Sequence, residues 1–573
     1  MLIKQRLLLE NVDELPHLPP LLKRIYAARG IQNSQQLTKE LANLLPYQTL
    51  KGIDQAVELL ITVLNEQQAI VIVGDYDSDG ATATAVAVLG LKMLGAKQVD
   101  YLVPNRFKYG YGLSPEIVEL AIEQFKPQLL ITVDNGISSI EGVAAAKQAG
   151  LKVLITDHHL PSETLPAADA MVNPNQPTCN FPSKVIAGVG VIFYVLIALR
   201  AKLREINYFT SHNLPEPNLA ELLDLVALGT VADVVALDSN NRTLVYQGLK
   251  RIQKGKVRPG IRALLQLAGK DYTKITATDL GFIVGPRLNA AGRLDNMKLG
   301  IDCLLADDEA DAYQKASQLD TLNRERRSIE QSMQTEALHT LKDITLDNLP
   351  YGICLFNEQW HEGVIGILAS RLKDKYHRPT IIFAATEQEG MVKGSARSIT
   401  NFHIRDALQN ITSRYPDLID KFGGHAMAAG LTLAKDKIKV FQEAFNQEVQ
   451  QQVTEDQLQQ VILTDGSLNP EDFCIEQAQL LMDAGPWGQG FPEPLFDGVF
   501  WIEQQRLLKE KHLKLVLRTA DKQQQLEAIA FNIDKNIWPN STIKQANIVY
   551  KLMVNEYKGQ QSVQLLVSHL LPI

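Results

Sequence analysis

The chain of 573 residues is 45% hydrophobic and 21% charged, with a net charge of −8 from 57 basic and 65 acidic side chains. At about 150 residues per domain this predicts roughly three to four domains, each able to bury a core, and excludes a disordered, collagen-like or low-complexity chain. No apolar run reaches the ~20 residues of a membrane span. The N-terminal MLIKQRLLLENVDELP meets acidic residues too early for a secretory signal. Four cysteines (Cys179, Cys303, Cys354, Cys474) form no CxxC, which argues against a disulfide scaffold or zinc ribbon. These features predict a soluble, cytoplasmic protein.

Residues 1–48 read as an N-terminal segment. From Gln68 to Pro174 short β-rich runs alternate with helical ones: AIVIVG, a helix from Ala81 to Leu94, VDYLVP, a helix opened by Ser114 and Pro115, LLITV, a helix from Ser138 to Gln148, and LKVLIT. This alternation predicts a doubly wound, mainly parallel α/β sheet, within a catalytic domain over 49–300. In such sheets ligands sit at the carboxyl ends of the strands. The apolar stretch from Val185 to Leu199, flanked by Lys184 and Arg200, reads as a buried helix. Arg242 to Arg262 carries seven basic residues and no acid, either a solvated face or a local field for nucleic acid. Ala306 to Asp343 is strongly helical, roughly 55 Å long at 1.5 Å per residue; it reads as a strut over 301–349, with a coiled-coil dimer as the alternative. A second α/β unit opens at YGICLF and spans 350–455. Alternating segments such as HLKLVLR and IVYKLMV then predict an OB-like β domain over 456–573.

Acids stand at three strand ends: Asp75, Asp134 and Asp157. GDYDSDGAT sets Asp75, Asp77 and Asp79 at alternate positions before Gly80. An EF-hand is excluded, because its twelfth position would be Val86 and the motif follows a strand. Three carboxylates crowded at a ligand-binding edge repel one another unless cations offset them. VDNG adds Asp134, the Asp157-His158-His159 run adds imidazoles, and GTVADVV adds Asp233. Oxygen donors with one or two imidazoles suit Mn²⁺ or Mg²⁺. There are enough acids for two ions, and a pair about 3.5–4 Å apart is a common arrangement for phosphate-ester hydrolysis. There is no GxxxxGK[ST] and no GxSxG, so neither a P-loop nucleotide engine nor an α/β-hydrolase is indicated.

In this order DYDSDG, VDNG, DHH and GTVADVV resemble the DHH phosphoesterase superfamily. GPRLNAAGR (285–293), GSARS (394–398) and FGGHAMAAG (422–430), with GPWGQGFPEPLF (485–496), are similar to the RecJ single-strand-specific DNA exonucleases, whose second domain is of the DHHA1 type. The resemblance implies metal ligation by Asp75, Asp77, Asp79, His158 and Asp233, and by Asp134 as the acid bridging both ions. It implies that His159 is a ligand or a contact to the scissile phosphate, with Asp157 orienting the histidines. His425 is expected over the active site, after Gly423 and Gly424, whose small size admits a phosphate. Ser395 and Arg397, with Arg106 and Arg287, are expected to form a pocket for the 5′-terminal phosphate. Ser78 stands where the family often has Ala, a difference expected to be inert.

The implied activity is 5′→3′ hydrolysis of single-stranded DNA to nucleoside 5′-monophosphates in recombination and repair, by a monomer working with a helicase and a single-strand-binding protein. Two alternatives are a phosphodiesterase of short oligonucleotides or cyclic dinucleotides, and a catalytically inactive DNA-binding scaffold. Trp487, Phe491 and Trp501 are candidates for base stacking or for core packing.

Overall fold

The computed structural model describes residues 2–7, 15, 17–105, 109, 112–341, 349–535 and 537–573. Arg106, the end of the expected connecting helix (342–348) and much of the first sixteen residues lie outside this set. The chain forms two compact units: residues 4–292, 296–319 and 463–573 make the larger, and 1–3, 293–295 and 320–462 the smaller. Among the described residues no helix is long and apolar enough to cross a membrane.

The larger unit is built on five parallel strands: β1 (Ile70–Gly74), β2 (Val99–Leu102), β3 (Leu129–Val133), β4 (Lys152–Thr156) and β5 (Ala170–Val172), in spatial order β2-β1-β3-β4-β5. Every residue of β1 and β3 is buried, which is why both read as unbroken β-branched or Leu runs with no alternation. Helices α1 (Ser78–Met93), α2 (Pro115–Phe125) and α3 (Ile140–Gln148) connect the strands. Ser114 caps α2 through Ile117 N–H, with Pro115 at the first helical position. Strand order reverses between β1 and β3, which places a ligand crevice beyond their carboxyl ends. Three further helices complete the surroundings of that crevice: α4 (Gly188–Glu205), α5 (Leu223–Ala232) and α6 (Ser239–Gln253). The stretch expected to be a buried helix is α4, apolar on nearly every face because the protein surrounds it.

The fold absorbs the arginines Arg242, Arg258 and Arg262 of the basic run, while Lys250, Lys254 and Lys256 stay exposed. Arg242, on α6, is buried, donates to the Leu237 and Gln36 carbonyls and lies over the Phe491 ring. Arg258 donates to the Leu304, Leu305 and Ala306 carbonyls, and Arg262 to that of Gly255. Trp487 and Phe491 are likewise core: they stack on each other and pack on Tyr26, with Arg29 over Trp487. Together with the Arg29–Asp465 ion pair, they fasten the C-terminal domain to the N-terminal segment, and Arg242 over Phe491 ties it to the catalytic domain.

Helix α7 (Gly285–Leu294) precedes the long helix α8 (Glu309–Thr340), about 48 Å from end to end at 1.5 Å per residue. In the smaller unit, Met333, Ala337 and Leu341 pack with Trp360, Val364 and Leu368, so the apolar stripe of this half of α8 is buried within the chain. That unit holds strands β6 (Ile353–Phe356), β7 (Thr380–Ala385), β8 (Met391–Arg397), β9 (Lys421–Gly424) and β10 (Ala428–Ala434), with helix α9 (Ile365–Tyr376) after β6. Their order is β9-β10-β8-β7-β6, and only β6 and β7 run parallel. The C-terminal domain is a closed barrel of β11 (Phe496–Leu508), β12 (His512–Arg518), β13 (Gln525–Ala530), β14 (Gln545–Tyr557) and β15 (Gln560–Pro572), ordered β11-β12-β13-β15-β14. This is a five-stranded OB-type barrel, as the alternating pattern predicts.

Candidate metal centre

The crevice beyond β1 and β3 gathers most of the acids singled out from sequence. Asp77 is the N-cap of α1, its Oδ1 accepting from Asp79 and Gly80 N–H at 2.9 and 3.0 Å. Asp79, fully buried on the first turn of α1, accepts from Gly188 N–H (2.6 Å) and Val189 N–H (3.0 Å), so it caps α4 from more than a hundred residues away. Asp134 follows β3 with φ at 62°, in the left-handed region, and its N–H donates to Thr156 O at 3.0 Å. That turn directs the carboxylate toward His158, whose Nε2 lies 3.1 Å from Asp134 Oδ1 and 3.6 Å from Asp233 Oδ2. Asp233 is the C-cap of α5.

Three sets of ligand atoms each lie within 4.8 Å of one another: Asp134, His158 and His159; Asp79, His158 and Asp233; and Asp75, Asp77 and Asp134. All are carboxylate oxygens or imidazole nitrogens, with no thiolate, so the residues present fit Mn²⁺ or Mg²⁺. Their electrostatics need such cations. Burial, then repulsion from neighbouring aspartates, raises Asp79 and Asp134 well above the usual carboxylate range and pushes Asp233 up to about 7. His158 is pushed down to about 4 by burial and by the charge of His159, which leaves it neutral and able to ligate.

Asp157 lies beneath the histidines. Its Oδ1 accepts from the His158 and His159 backbone N–H groups and lies 2.8 Å from His159 Nδ1, while Oδ2 accepts from Ile137 N–H. Burial favours its neutral form, but the hydrogen bond and charge of His159 outweigh it, so Asp157 is held below its ordinary value. His159 is raised in return to about 9: burial opposes the charge, and the bond to Asp157 prevails.

Several contributors have no signal in the sequence. Asn173 and Asn175 donate to the His159 and His158 carbonyls at 3.0 and 2.6 Å and so clamp the histidine pair from the loop after β5. A Cβ on Gly188 would lie 2.5 Å from Asp134 Oδ1, and one on Gly229 would strike Thr82 Oγ1 and come 2.8 Å from Asp79 Oδ1; both glycines make room for carboxylates of the cluster. GPRLNAAGR lends more than Arg287. Asn289 Oδ1 accepts from Ser78 N–H at 2.7 Å, and Gly292 lets α7 close on the Tyr76 carbonyl. Ser78 takes a structural part: its hydroxyl lies 2.9 Å from Asn289 Oδ1 and 3.1 Å from Gly285 O, tying the Asp75–Asp79 loop to α7. Arg287 is buried and donates to Ile283 O.

In the smaller unit Ser395 and Arg397 share β8, with Arg397 Nη1 donating to Ser395 Oγ at 3.1 Å and to Ala396 O at 2.8 Å. A Cβ on Gly366, in the first turn of α9, would lie 2.9 Å from both Arg397 Nη2 and Ser395 Oγ, so this glycine sets the space around the pair. Gly423 and Gly424 end β9, and His425 stands exposed in the turn leading to β10, donating its N–H to Ala428 O.

Fold and site together define a metal-dependent phosphoester hydrolase. Family models match the N-terminal domain of the DHH family over residues 69–230, the DHHA1 domain over 348–451 and the RecJ OB domain over 464–569. The chain is 51% identical to the single-stranded-DNA-specific exonuclease RecJ of Escherichia coli (strain K12), across 100% of this chain and 99% of that protein. It is 33% identical to the Bacillus subtilis (strain 168) protein of the same name, over 98% of this chain and 69% of the relative. Its backbone is similar to the crystal structure of RecJ in complex with Mn²⁺ from Thermus thermophilus, with a TM-score of 0.81 and 29% identity over 99% of this chain and 79% of that one. The corresponding Mg²⁺ complex gives a TM-score of 0.76. The chain belongs to the RecJ family of single-stranded-DNA-specific exonucleases.

Proposed function

We propose that this protein is a two-metal exonuclease that degrades single-stranded DNA from the 5′ end, releasing nucleoside 5′-monophosphates in DNA recombination and repair. The observation that carries the reading is the convergence of Asp75, Asp77, Asp79, Asp134, Asp233 and a neutral His158 on one switch point of the sheet. Two Mn²⁺ or Mg²⁺ ions held by this set would offset the negative charge of the phosphodiester and lower the pKa of the attacking water. Asp134 and His158 each belong to two of the three donor sets, and of the two only the carboxylate has two oxygens with which to bridge a pair of ions, which supports Asp134 as the shared ligand. The Gly188 and Val189 N–H groups fix Asp79, and Asp157 braces His159 so that its other ring nitrogen meets the scissile phosphate. Ser395 and Arg397 bind the 5′-terminal phosphate, where a guanidinium fork matches phosphate geometry. Gly423 and Gly424 admit a phosphate beside His425.

The closed C-terminal barrel supports a substrate longer than a dinucleotide, since OB folds track several nucleotides of a strand. Intact acids throughout the site weigh against an inactive scaffold. The protein works as a cytoplasmic monomer on strands exposed by a helicase and covered by a single-strand-binding protein. The test is a time course on a long single strand with a 5′-phosphate and a 3′ label, with Mn²⁺ and with chelator. A labelled ladder that shortens progressively, only with metal, is expected. Immediate release of a labelled mononucleotide would reverse the polarity and overturn the reading.

A further inference from the structure

Two large apolar side chains stand in solvent on segments that adjoin Asp233 in the chain or pack against its helix: Phe282 is 74% exposed and Val234 62%. Phe282 is the middle residue of a five-residue π-helical stretch, Leu280–Val284, that leads into α7. Such turns are rare, occur mostly as single-turn bulges within α-helices and are frequent at functional sites. This one is firmly seated. Leu280 and Val284 are buried, a Cβ on Gly281 would lie 3.1 Å from Val231 Cγ1, and one on Gly285 would lie 3.2 Å from Ala232 Cβ. Val231 and Ala232 are the last residues of α5 before Asp233, so the π-turn packs directly on the helix end that carries a metal ligand. Its other ties lead to the remaining chemistry: Ile283 O accepts from Arg287, and Gly285 O lies 3.1 Å from Ser78 Oγ, next to Asp77 and Asp79. Val234, one residue past Asp233, sits at φ 65°, a region a β-branched residue rarely adopts. A rigid frame therefore holds a phenyl ring largely in water, on a turn packed against the helix end that leads into Asp233.

We propose that Phe282 is a stacking platform for a nucleobase of the single strand next to the scissile bond, with Val234 closing the rim beside Asp233. The proposal rests on the exonuclease reading and deepens it. When a phosphodiester sits on the acidic cluster, the flat apolar group that the strand brings beside it is a base. Stacking on a phenyl face tolerates every base, as an exonuclease working through arbitrary sequence requires. It also selects single strands, because a base inside a duplex already has both faces covered by its neighbours.

The test uses the full chain and 5′-phosphorylated oligonucleotides with 2-aminopurine at one of the first three positions, titrated in chelator so that nothing is cleaved. Wild type and Phe282→Trp quench the probe at one of these positions; Phe282→Ala and Phe282→Leu do not. In Mn²⁺, Phe282→Ala raises KM for single-stranded DNA about tenfold or more, within the range for loss of one stacked base, with kcat within threefold and Phe282→Trp restoring KM. The Mn²⁺-induced rise in melting temperature stays at the wild-type value in every variant, which separates lost stacking from a damaged metal site. Wild-type KM and quenching in Phe282→Ala overturn the proposal, as does an equal KM defect in the Ala and Trp variants. Failure of the wild type itself to degrade single strands overturns the exonuclease reading and the proposal with it.

Discussion

Gly188→Ala tests whether the metal centre depends on the close approach of α4 to β3. The added methyl carbon would lie 2.5, 2.6 and 2.7 Å from Oδ1, Cβ and Cγ of Asp134. Non-bonded carbon contacts settle near ~3.5 Å, so the carboxylate and the helix must part by about 1 Å. Neither has slack. Asp134 is fixed by its left-handed φ and its N–H bond to Thr156 O, and α4 by the Asp79 carboxylate on the Gly188 and Val189 N–H groups. Whichever yields, a carboxylate of the candidate metal centre moves. Overpacking of this kind costs about 1–3 kcal/mol of stability, and the better helix propensity of Ala returns up to ~1 kcal/mol of it, so the variant should fold. A misplacement near 1 Å at reacting groups costs about 10²-fold in rate. The expectation is a fall of about two decades in kcat/KM on single-stranded DNA with Mn²⁺, close to 2.7 kcal/mol in the barrier, together with weaker Mn²⁺ binding by calorimetry and an unchanged far-ultraviolet circular dichroism spectrum. Activity within threefold of wild type, with unaltered Mn²⁺ affinity, would refute the reasoning.

Other perturbations probe the remaining parts. Asp134→Ala should abolish turnover while single-stranded DNA binding by anisotropy stays largely intact; residual wild-type activity would remove it from the ligand set. Arg397→Ala should erase any preference for 5′-phosphorylated over 5′-hydroxyl strands, measured as a ratio of kcat/KM. The raised values of Asp79, Asp134 and Asp233 mean that the metal-free folded state holds protons the unfolded chain has lost. Stability of the metal-free protein should therefore fall as pH rises from about 4, the unfolded carboxylate value, through about 7, where Asp233 titrates. Mn²⁺ must displace those protons, so its stabilising effect in thermal melts should be larger at pH 8 than at pH 5.5; an effect independent of pH would contradict the cluster's electrostatics. Trp487→Ala removes a buried ring stacked on Phe491 and tilted against Tyr26, a loss of about 3–5 kcal/mol. Limited proteolysis should then cut where the C-terminal domain meets the N-terminal segment, and an unchanged digestion pattern would deny Trp487 that fastening role.

The elements and the chemistry are legible along the chain. The buried strands β1, β3 and β4 show as unbroken apolar runs, and Asp75, Asp134 and Asp157 stand out because acids at the ends of such runs fall on a sheet's ligand edge. The α4 helix and the alternating barrel strands are equally local signals of hydrophobic periodicity. Which groups meet is settled by the folding of distant segments onto one another. Nothing near Asp79 in the chain says that it caps α4, because its partners, Gly188 and Val189, are reached only once the sheet and helices have packed. The same holds for Asn289 on the Ser78 loop, for Asn173 and Asn175 beneath the histidines, and for Gly188 against Asp134. Residue type and local context left Arg242 and Trp487 open between a nucleic-acid face and a structural role. Burial against partners far along the chain gave both structural roles, Arg242 joining the catalytic domain to Phe491 and Trp487 joining the C-terminal domain to the N-terminal segment. Local pattern fixes which backbone forms and which side chains carry charge, whereas hydrogen-bond pairing and burial depend on distances that only the folded chain sets.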